Sequence, residues 1–140
     1  MTEATTAVVA DIHIVIWYVL NPAKLSTKAT EALEGCVAAG EPIRVSAHSL
    51  VELVYAVERP TNPFSEDDRQ AVLEVFEAED SPFEIVPVTA EIANRVASVP
   101  RTANADPGDR IIVATAEVLG LSIVSADSKF PSMTSLTVIA

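Results

Sequence analysis

The chain has 140 residues, of which 49% are apolar and only 5% aromatic. This length fits one domain spanning residues 1–140, and the apolar content excludes a disordered chain and predicts an aliphatic core. The net charge of −11 argues against a protein that holds nucleic acid on a broad basic surface, although divalent cations can bridge an acidic pocket and a phosphodiester.

The predicted elements alternate between strands and helices along the chain. Short apolar runs predict strands at residues 7–10, 43–46, 83–88, 121–125 and 136–139. Amphipathic patterns with capping residues predict helices at residues 26–39, 49–58, from 65 onward, 89–97 and 106–119. A further apolar segment, residues 14–20, follows the first strand and stops at Asn21-Pro22. This order predicts an α/β fold whose mostly parallel sheet is covered by helices on both faces.

The single cysteine, Cys36, bears on the compartment. One thiol excludes a disulfide within the chain and a thiolate zinc site, which fits a reducing cytoplasm. The first residues lack the basic start of a signal peptide, and Asp11 and His13 interrupt an apolar run too short to span a membrane. We therefore expect a cytoplasmic protein outside the membrane.

Carboxylates follow or lie beside several predicted strand ends. Asp11 follows the first strand, and Glu52 lies in the first turn of the helix after the second strand. Asp106 and Asp109 begin a later helix, and Asp127 lies two residues past the strand 121–125. Ligands of open α/β sheets bind at the carboxyl edge of the strands, so these acids are expected to converge there.

A convergent set of carboxylates favours metal chemistry. Clustered carboxylates repel one another unless cations compensate them, and Mg²⁺ and Mn²⁺ prefer oxygen ligands. Such ions can activate a water for attack on a phosphodiester. The two histidines, His13 and His48, form no evident Ser-His-Asp arrangement, and no phosphate-binding glycine loop is present.

Three of the acids also have a purely structural explanation. Ser49-x-x-Glu52 has the pattern of a helix capping box. Asp106 has the position of an N-cap, and Asp109 that of a favourable first-turn acid. These alternatives stay open for all three residues at the level of sequence.

Asp127 and Asp11 differ in how readily a structural role explains them. Asp127 could be an ordinary turn residue. Asp11 lies inside the most apolar stretch of the chain, where an unpaired carboxylate is costly. A functional role is therefore favoured most strongly for Asp11.

Four segments together resemble the motifs of PIN-domain proteins, in the family's order. They are residues 9–17 (VADIHIVIW), 46–53 (SAHSLVEL), 106–116 (DPGDRIIVATA) and 125–130 (SADSKF). The third is the most specific match. The length is that of the VapC toxins of bacterial toxin–antitoxin pairs.

The resemblance implies a three-layer α/β/α sandwich and a Mg²⁺- or Mn²⁺-dependent endoribonuclease toxin. It implies that Asp11, Glu52, Asp109 and Asp127 form the catalytic, metal-binding cluster, with Asp106 as an accessory metal ligand. It also implies an RNA substrate, a homodimer and a cognate VapB-type antitoxin, which commonly inserts a segment into the acidic pocket.

Two positions depart from the family pattern. Ile12 stands where the family usually has Ser or Thr, so a hydroxyl near the metal is missing. Lys129 stands where the family often has another acid, and it is expected to touch substrate phosphate or to neutralise a neighbour. Ser49 and Lys129 are the candidate substrate-binding residues.

Two other functions remain open. Ile12 and Lys129 would suit a PIN scaffold that binds its antitoxin but cuts RNA weakly or not at all. A receiver-like phosphoacceptor also gathers acids at strand ends, but it predicts an acidic pair after the first strand, where Ile12 and His13 follow Asp11.

Overall fold

Strands and helices alternate along the chain, as the sequence pattern predicts. The computed structural model describes residues 6–61, 64–101 and 106–140. Its strands are β1 (Val8–Ala10), β2 (Ile43–Ser46), β3 (Phe83–Val86), β4 (Ser122–Val124) and β5 (Val138–Ile139). Its α-helices are α1 (Ile12–Leu20), α2 (Thr27–Ala38), α3 (Ala47–Glu58), α4 (Glu66–Glu77), α5 (Ala90–Arg95) and α6 (Pro107–Leu119).

The strands form one parallel sheet in the order β3-β2-β1-β4-β5. All four strand pairings are parallel. The central strand β1 pairs with β2 on one side, where Val9 is opposite Arg44, and with β4 on the other, where Ala10 is opposite Val124. The residues that follow β1 and β4 therefore lie side by side at the carboxyl edge.

Helices cover both faces of the sheet, which confirms the predicted three-layer α/β/α arrangement. Side chains alternate in direction along a strand, so Val8 and Ala10 pack into one core while Val9 packs into the other. The first core includes apolar residues of α1, α2 and α4, and the second includes those of α5 and α6. A parallel sheet covered on both faces needs apolar strands at its centre, and β1 is apolar and buried throughout.

Helix α3 begins at Ala47, two residues before the predicted start at Ser49. Its N-cap is Ser46, whose Oγ accepts a hydrogen bond from the His48 N–H at 3.1 Å. The capping-box interpretation of Ser49 and Glu52 is therefore wrong, since Ser49 lies inside the first helical turn. The sequence predicts Glu52 in the first turn of this helix, but Glu52 lies in the second turn.

Helix α6 has the caps that its sequence predicts. Asp106 is the N-cap, Pro107 is the first helical residue, and Gly120 ends the helix at φ +70°. Glycine adopts this left-handed backbone without the steric cost of a Cβ atom. The cap at Asp106 fixes where α6 starts relative to the sheet edge.

Within residues 6–61, 64–101 and 106–140, no helix is both long enough and apolar enough to span a bilayer.

Candidate active site

Asp11 joins the central strand to the first helix and is almost fully buried, with 6% of its surface exposed. It is the N-cap of α1, and its Oδ1 accepts a hydrogen bond from the Ile14 N–H at 3.1 Å. Its own N–H continues the sheet ladder by donating to the Val124 carbonyl. Burial raises the pKa of Asp11 above its usual value, against the lowering effect of its hydrogen bonds. The carboxylate is thus held rigidly where ionisation is costly.

Ser125 holds the other oxygen of Asp11, and sequence reasoning did not single it out as a site residue. Its Oγ donates to Asp11 Oδ2 and also accepts from the Asp127 N–H at 3.0 Å. Ser125 is fully buried and directly follows β4. The neighbouring register of β1 and β4 is the signal that could have found it, because the residues after Ala10 and Val124 must lie side by side. Ser125 therefore links Asp11 to the turn that carries Asp127.

Glu52 projects from α3 toward Asp11 and the start of α6. Its Oε1 is buried and has no hydrogen-bond partner within the described part of the chain. Burial, and then the negative charges of Asp106, Asp109 and Asp11, raise the pKa of Glu52 to about 7. Glu52 is therefore within electrostatic reach of the other three carboxyl groups.

Asp109 lies in the first turn of α6 and is 9% exposed. Its Oδ2 is buried, has no hydrogen-bond partner among the described residues, and lies 3.5 Å from Nζ of Lys129. Burial, followed by the charge of Asp106, raises the pKa of Asp109, while Lys129 opposes the shift. Asp109 is thus a second carboxylate with one buried oxygen that accepts no hydrogen bond from the described residues.

Asp106 is exposed and uses its carboxylate as a cap. Its Oδ1 accepts from the Asp109 N–H at 2.9 Å. It also raises the pKa values of Glu52 and Asp109 through its charge. Asp106 therefore lies at the rim of the carboxylate group and fixes the backbone of Asp109.

Asp127 and Lys129 form the turn after β4. The Oδ1 of Asp127 accepts from the Lys129 N–H at 2.9 Å, and its Oδ2 lies 3.4 Å from Lys129 Nζ. Asp127 is therefore a turn-stabilising residue, as the structural alternative predicts, while its second oxygen faces the cation. Burial lowers the pKa of Lys129, but Asp109 and Asp127 outweigh that effect and raise it.

Ser49 lies inside α3 and is fully buried, and its Oγ has no hydrogen-bond partner among the described residues. Ile12, at the start of α1, is buried in the first core. Ile12 therefore offers no hydroxyl to the site. Ser125, which follows the neighbouring strand β4, brings a hydroxyl to Asp11 instead.

Gly108 permits the close approach of α6 to α3. A Cβ atom at this position would lie 3.1 Å from two ring atoms of His48 and 3.2 Å from Oε2 of Glu52. A cavity of about 270 Å³ lies beside this approach and is lined by His48, Glu52, Tyr55, Arg59, Asp106, Pro107 and Gly108. Gly108 is a second residue that sequence reasoning missed, and the glycine within the third motif was its only signal.

The carboxylates described above are the kind of ligand that a hard divalent cation prefers. All of the donors are carboxylate oxygens, and Glu52 Oε1 and Asp109 Oδ2 are buried without hydrogen bonds from the described residues. In this arrangement, however, no three acidic, histidine or cysteine side chains of residues 6–61, 64–101 and 106–140 are grouped closely enough to hold a metal. Side-chain movement must accompany binding of an ion, and the ammonium of Lys129 lies between two of the carboxylates.

The sequence is similar to known proteins over most of its length. The family model described as PIN domain matches residues 8–136. The curated protein Ribonuclease VapC22 from Mycobacterium tuberculosis (strain ATCC 25618 / H37Rv) is 28% identical over 127 residues, covering 91% of this chain and 92% of its own.

Solved structures share the fold at low identity. VapBC2 from Rickettsia felis, bound to a promoter DNA fragment, aligns with a TM-score of 0.67 at 18% identity, covering 94% of this chain and 96% of its own. DNA-bound VapBC from Salmonella typhimurium gives 0.64 at 18% identity with the same coverage. A toxin–antitoxin complex from Klebsiella pneumoniae gives 0.59 at 22% identity, covering 88% of each chain.

Proposed function

Since the chain belongs to the PIN domain family, we propose that it is a VapC-type, Mg²⁺- or Mn²⁺-dependent endoribonuclease toxin of a type II toxin–antitoxin system. The ribonuclease name of its curated relative supports the activity. The toxin–antitoxin complexes among the structures with the same fold support the biological setting.

The observation that carries this proposal is the group of carboxylates at the sheet edge, whose negative charge the ion pairs of Lys129 offset only in part. Glu52 and Asp109 each bury an oxygen that accepts no hydrogen bond from the described residues, and burial raises both pKa values. Uncompensated buried charge is destabilising, so it is retained where function needs it. Asp11, Glu52, Asp109 and Asp127 would hold the metal, with Asp106 as an accessory ligand at the rim.

Each residue of the chain has a distinct task in this proposal. Asp11 is oriented by Ser125 and by the start of α1, and Asp109 is oriented by the Asp106 cap. When bound, Mg²⁺ or Mn²⁺ supplies the positive charge that lowers the pKa of a water and offsets charge developing on the phosphodiester. Cleavage would leave a 5′ phosphate.

Two residues remain proposed substrate contacts. Lys129 has a side chain that is 33% exposed and ends beside the carboxylates. Its flexible stem could turn the ammonium toward a phosphate. Ser49 would need local movement before its buried hydroxyl met RNA.

The proposed partners follow from the family and from charge. A VapB-type antitoxin with basic groups would complement a chain of net charge −11. A homodimer in the cytoplasm completes the proposal.

Substitution of Asp11 tests the assignment of the site. Asp11→Asn keeps a residue that can cap α1 but removes the charge, so cleavage of structured RNA in Mn²⁺ should fall about a hundredfold or more, as expected for several kcal/mol of lost charge stabilisation. The matched control is Asp67→Asn, at an exposed position in the first turn of α4, which should cleave like the wild type. Wild-type rates in Asp11→Asn would overturn the site.

A second candidate function is a PIN scaffold that binds an antitoxin but cleaves RNA weakly or not at all. The ammonium of Lys129 between Asp109 and Asp127, and the apolar Ile12 beside Asp11, are the observations that favour it. Wild-type protein that binds its antitoxin yet leaves RNA intact in Mn²⁺ would support it. The receiver-like hypothesis loses its basis with the match to the PIN domain.

A further inference from the structure

Lys129 places a positive charge inside the carboxylate group. Its Nζ lies 3.5 Å from Asp109 Oδ2 and 3.4 Å from Asp127 Oδ2, so one ammonium spans two acids from different elements. The backbone of Lys129 is itself held by Asp127, through the hydrogen bond from its N–H to Oδ1. Both the backbone and the ammonium of Lys129 therefore lie next to Asp127.

Two other basic side chains contribute less directly to the same group. Arg59 lowers the pKa of Glu52, and His13 lowers that of Asp11, in each case against larger opposing effects. Neither forms an ion pair within 4.0 Å in the segments that the structure describes. Lys129 thus supplies the close positive charge to the Asp109 and Asp127 pair.

We propose that Lys129 is an internal counter-cation that occupies the Asp109–Asp127 pair when no metal is bound and competes with the divalent cation for these carboxylates. This inference rests on the proposed metal-dependent function. A group that binds the same ligands as the metal stabilises the metal-free protein and weakens metal affinity by the same linkage. It also accounts for carboxylates that gather at one edge without forming a three-ligand group.

A lysine suits this exchange better than an arginine. Its ammonium is a compact, strongly hydrated charge on a flexible four-carbon stem, whereas a guanidinium grips carboxylates with a rigid fork. With its side chain one-third exposed, the ammonium can leave for water when a metal arrives. Metal binding is then coupled to release of the Lys129 side chain.

Metal binding without RNA tests the proposal independently of catalysis. In titration calorimetry with Mn²⁺ on the whole chain, Lys129→Gln should bind about tenfold more tightly than the wild type, the factor for roughly 1.4 kcal/mol of competition. Lys129→Arg keeps the charge and should bind no more tightly than the wild type. Lys28→Gln, an exposed lysine on α2 without an ion pair among the described residues, is the control and should match the wild type.

Thermal unfolding in EDTA gives a second measurement. Lys129→Gln should unfold at a lower temperature than the wild type, because Asp109 and Asp127 lose their cation, and saturating Mn²⁺ should remove the difference. Circular dichroism checks that each variant is folded. An unchanged or weaker Mn²⁺ affinity in folded Lys129→Gln overturns the proposal.

The outcomes distinguish this inference from the function on which it rests. Mn²⁺ binding by the wild type with no change in Lys129→Gln overturns the role of Lys129 alone. Absence of Mn²⁺ binding in both proteins overturns the role of Lys129 and metal dependence together. Because the chain has three lysines, NMR of their ε-methylene groups adds a direct check: saturating Mg²⁺ should shift Lys129 and leave Lys24 and Lys28 unchanged.

Discussion

At Glu52, burial and the neighbouring negative charges both raise the pKa of the carboxyl group. Its carboxyl would ionise with a pKa near 4.5 in the unfolded chain and with one of about 7 in the folded protein. Between these values the folded state binds more protons, so stability falls as pH rises through this window. Above pH 7 the penalty is fully present in the metal-free protein.

Glu52→Gln should therefore stabilise the metal-free protein at pH 8. We expect a gain of about 1–2 kcal/mol after allowing for partial solvent screening of this side chain, and a smaller gain at pH 5, where wild-type Glu52 is largely protonated in the fold. Denaturant unfolding in EDTA at both pH values measures it. Glu58→Gln, at the exposed end of α3, should show no such pH dependence. An equal loss of stability at both pH values in Glu52→Gln would contradict this electrostatic account.

The sequence indicates the candidate site residues to unequal degrees. Asp11 stands out because an acid inside an apolar run must be paired, bound or functional. Ser125 was missed because its role depends on the pairing of β1 with β4, which residue type alone does not reveal. The capping interpretation of Ser49 failed because Ser46, three residues earlier, is an equally good cap and begins the helix first.

At the scale of elements, the contact of α6 with α3 positions two of the carboxylates. Gly108 lies at the second position of α6, where a Cβ atom would come within 3.2 Å of Glu52 and 3.1 Å of His48. These are tight contacts with movable side-chain atoms, so an added methyl group would displace the tips of those side chains more than the backbone.

Gly108→Ala should lower RNA cleavage several-fold while leaving the fold intact, because displacement of Glu52 disturbs the carboxylate group. The matched control is Gly35→Ala in α2, where a Cβ atom meets nothing within 4 Å. That variant should gain up to about 1 kcal/mol of stability from helix propensity and keep its activity. Thermal unfolding and cleavage rates of both variants measure the difference. Full activity in Gly108→Ala would show that the close approach has no functional role.

Element types were predictable because strands and helices have different apolar periods and because caps mark helix ends. The strand predicted at residues 83–88 ends at Val86, since Pro87 cannot donate to the sheet. The last two strands are shorter than their apolar runs, with β5 reduced to Val138–Ile139 at the edge of the sheet. Strand length therefore depends on which neighbours are available, and sequence does not supply that information.

At the scale of the whole molecule, strand order creates the site. The alternating pattern predicts a parallel sheet, but the order β3-β2-β1-β4-β5 follows from packing. In this order the chain moves away from β1 in one direction through β2 and β3 and in the other through β4 and β5. Ligands bind at such a reversal in open α/β sheets, and Asp11 and Ser125 lie directly at it.

A divalent cation at this edge would let an acidic molecule bind the proposed RNA substrate. A chain of net charge −11 repels RNA at long range. Asp109 and Asp127 share the single positive charge of Lys129. A divalent ion would bring twice that charge to the same carboxylates. We therefore expect the activity of this molecule to depend on a divalent metal.

The most direct measurement is cleavage of one structured RNA by the wild-type protein as divalent metal is removed and restored. Cleavage should stop in EDTA and return when Mn²⁺ or Mg²⁺ is added in excess, and the new RNA ends should carry a 5′ phosphate. An Asp11→Asn preparation that leaves the RNA intact serves as the control for contaminating nuclease. With that control in place, undiminished cleavage by the wild-type protein in EDTA would contradict metal dependence.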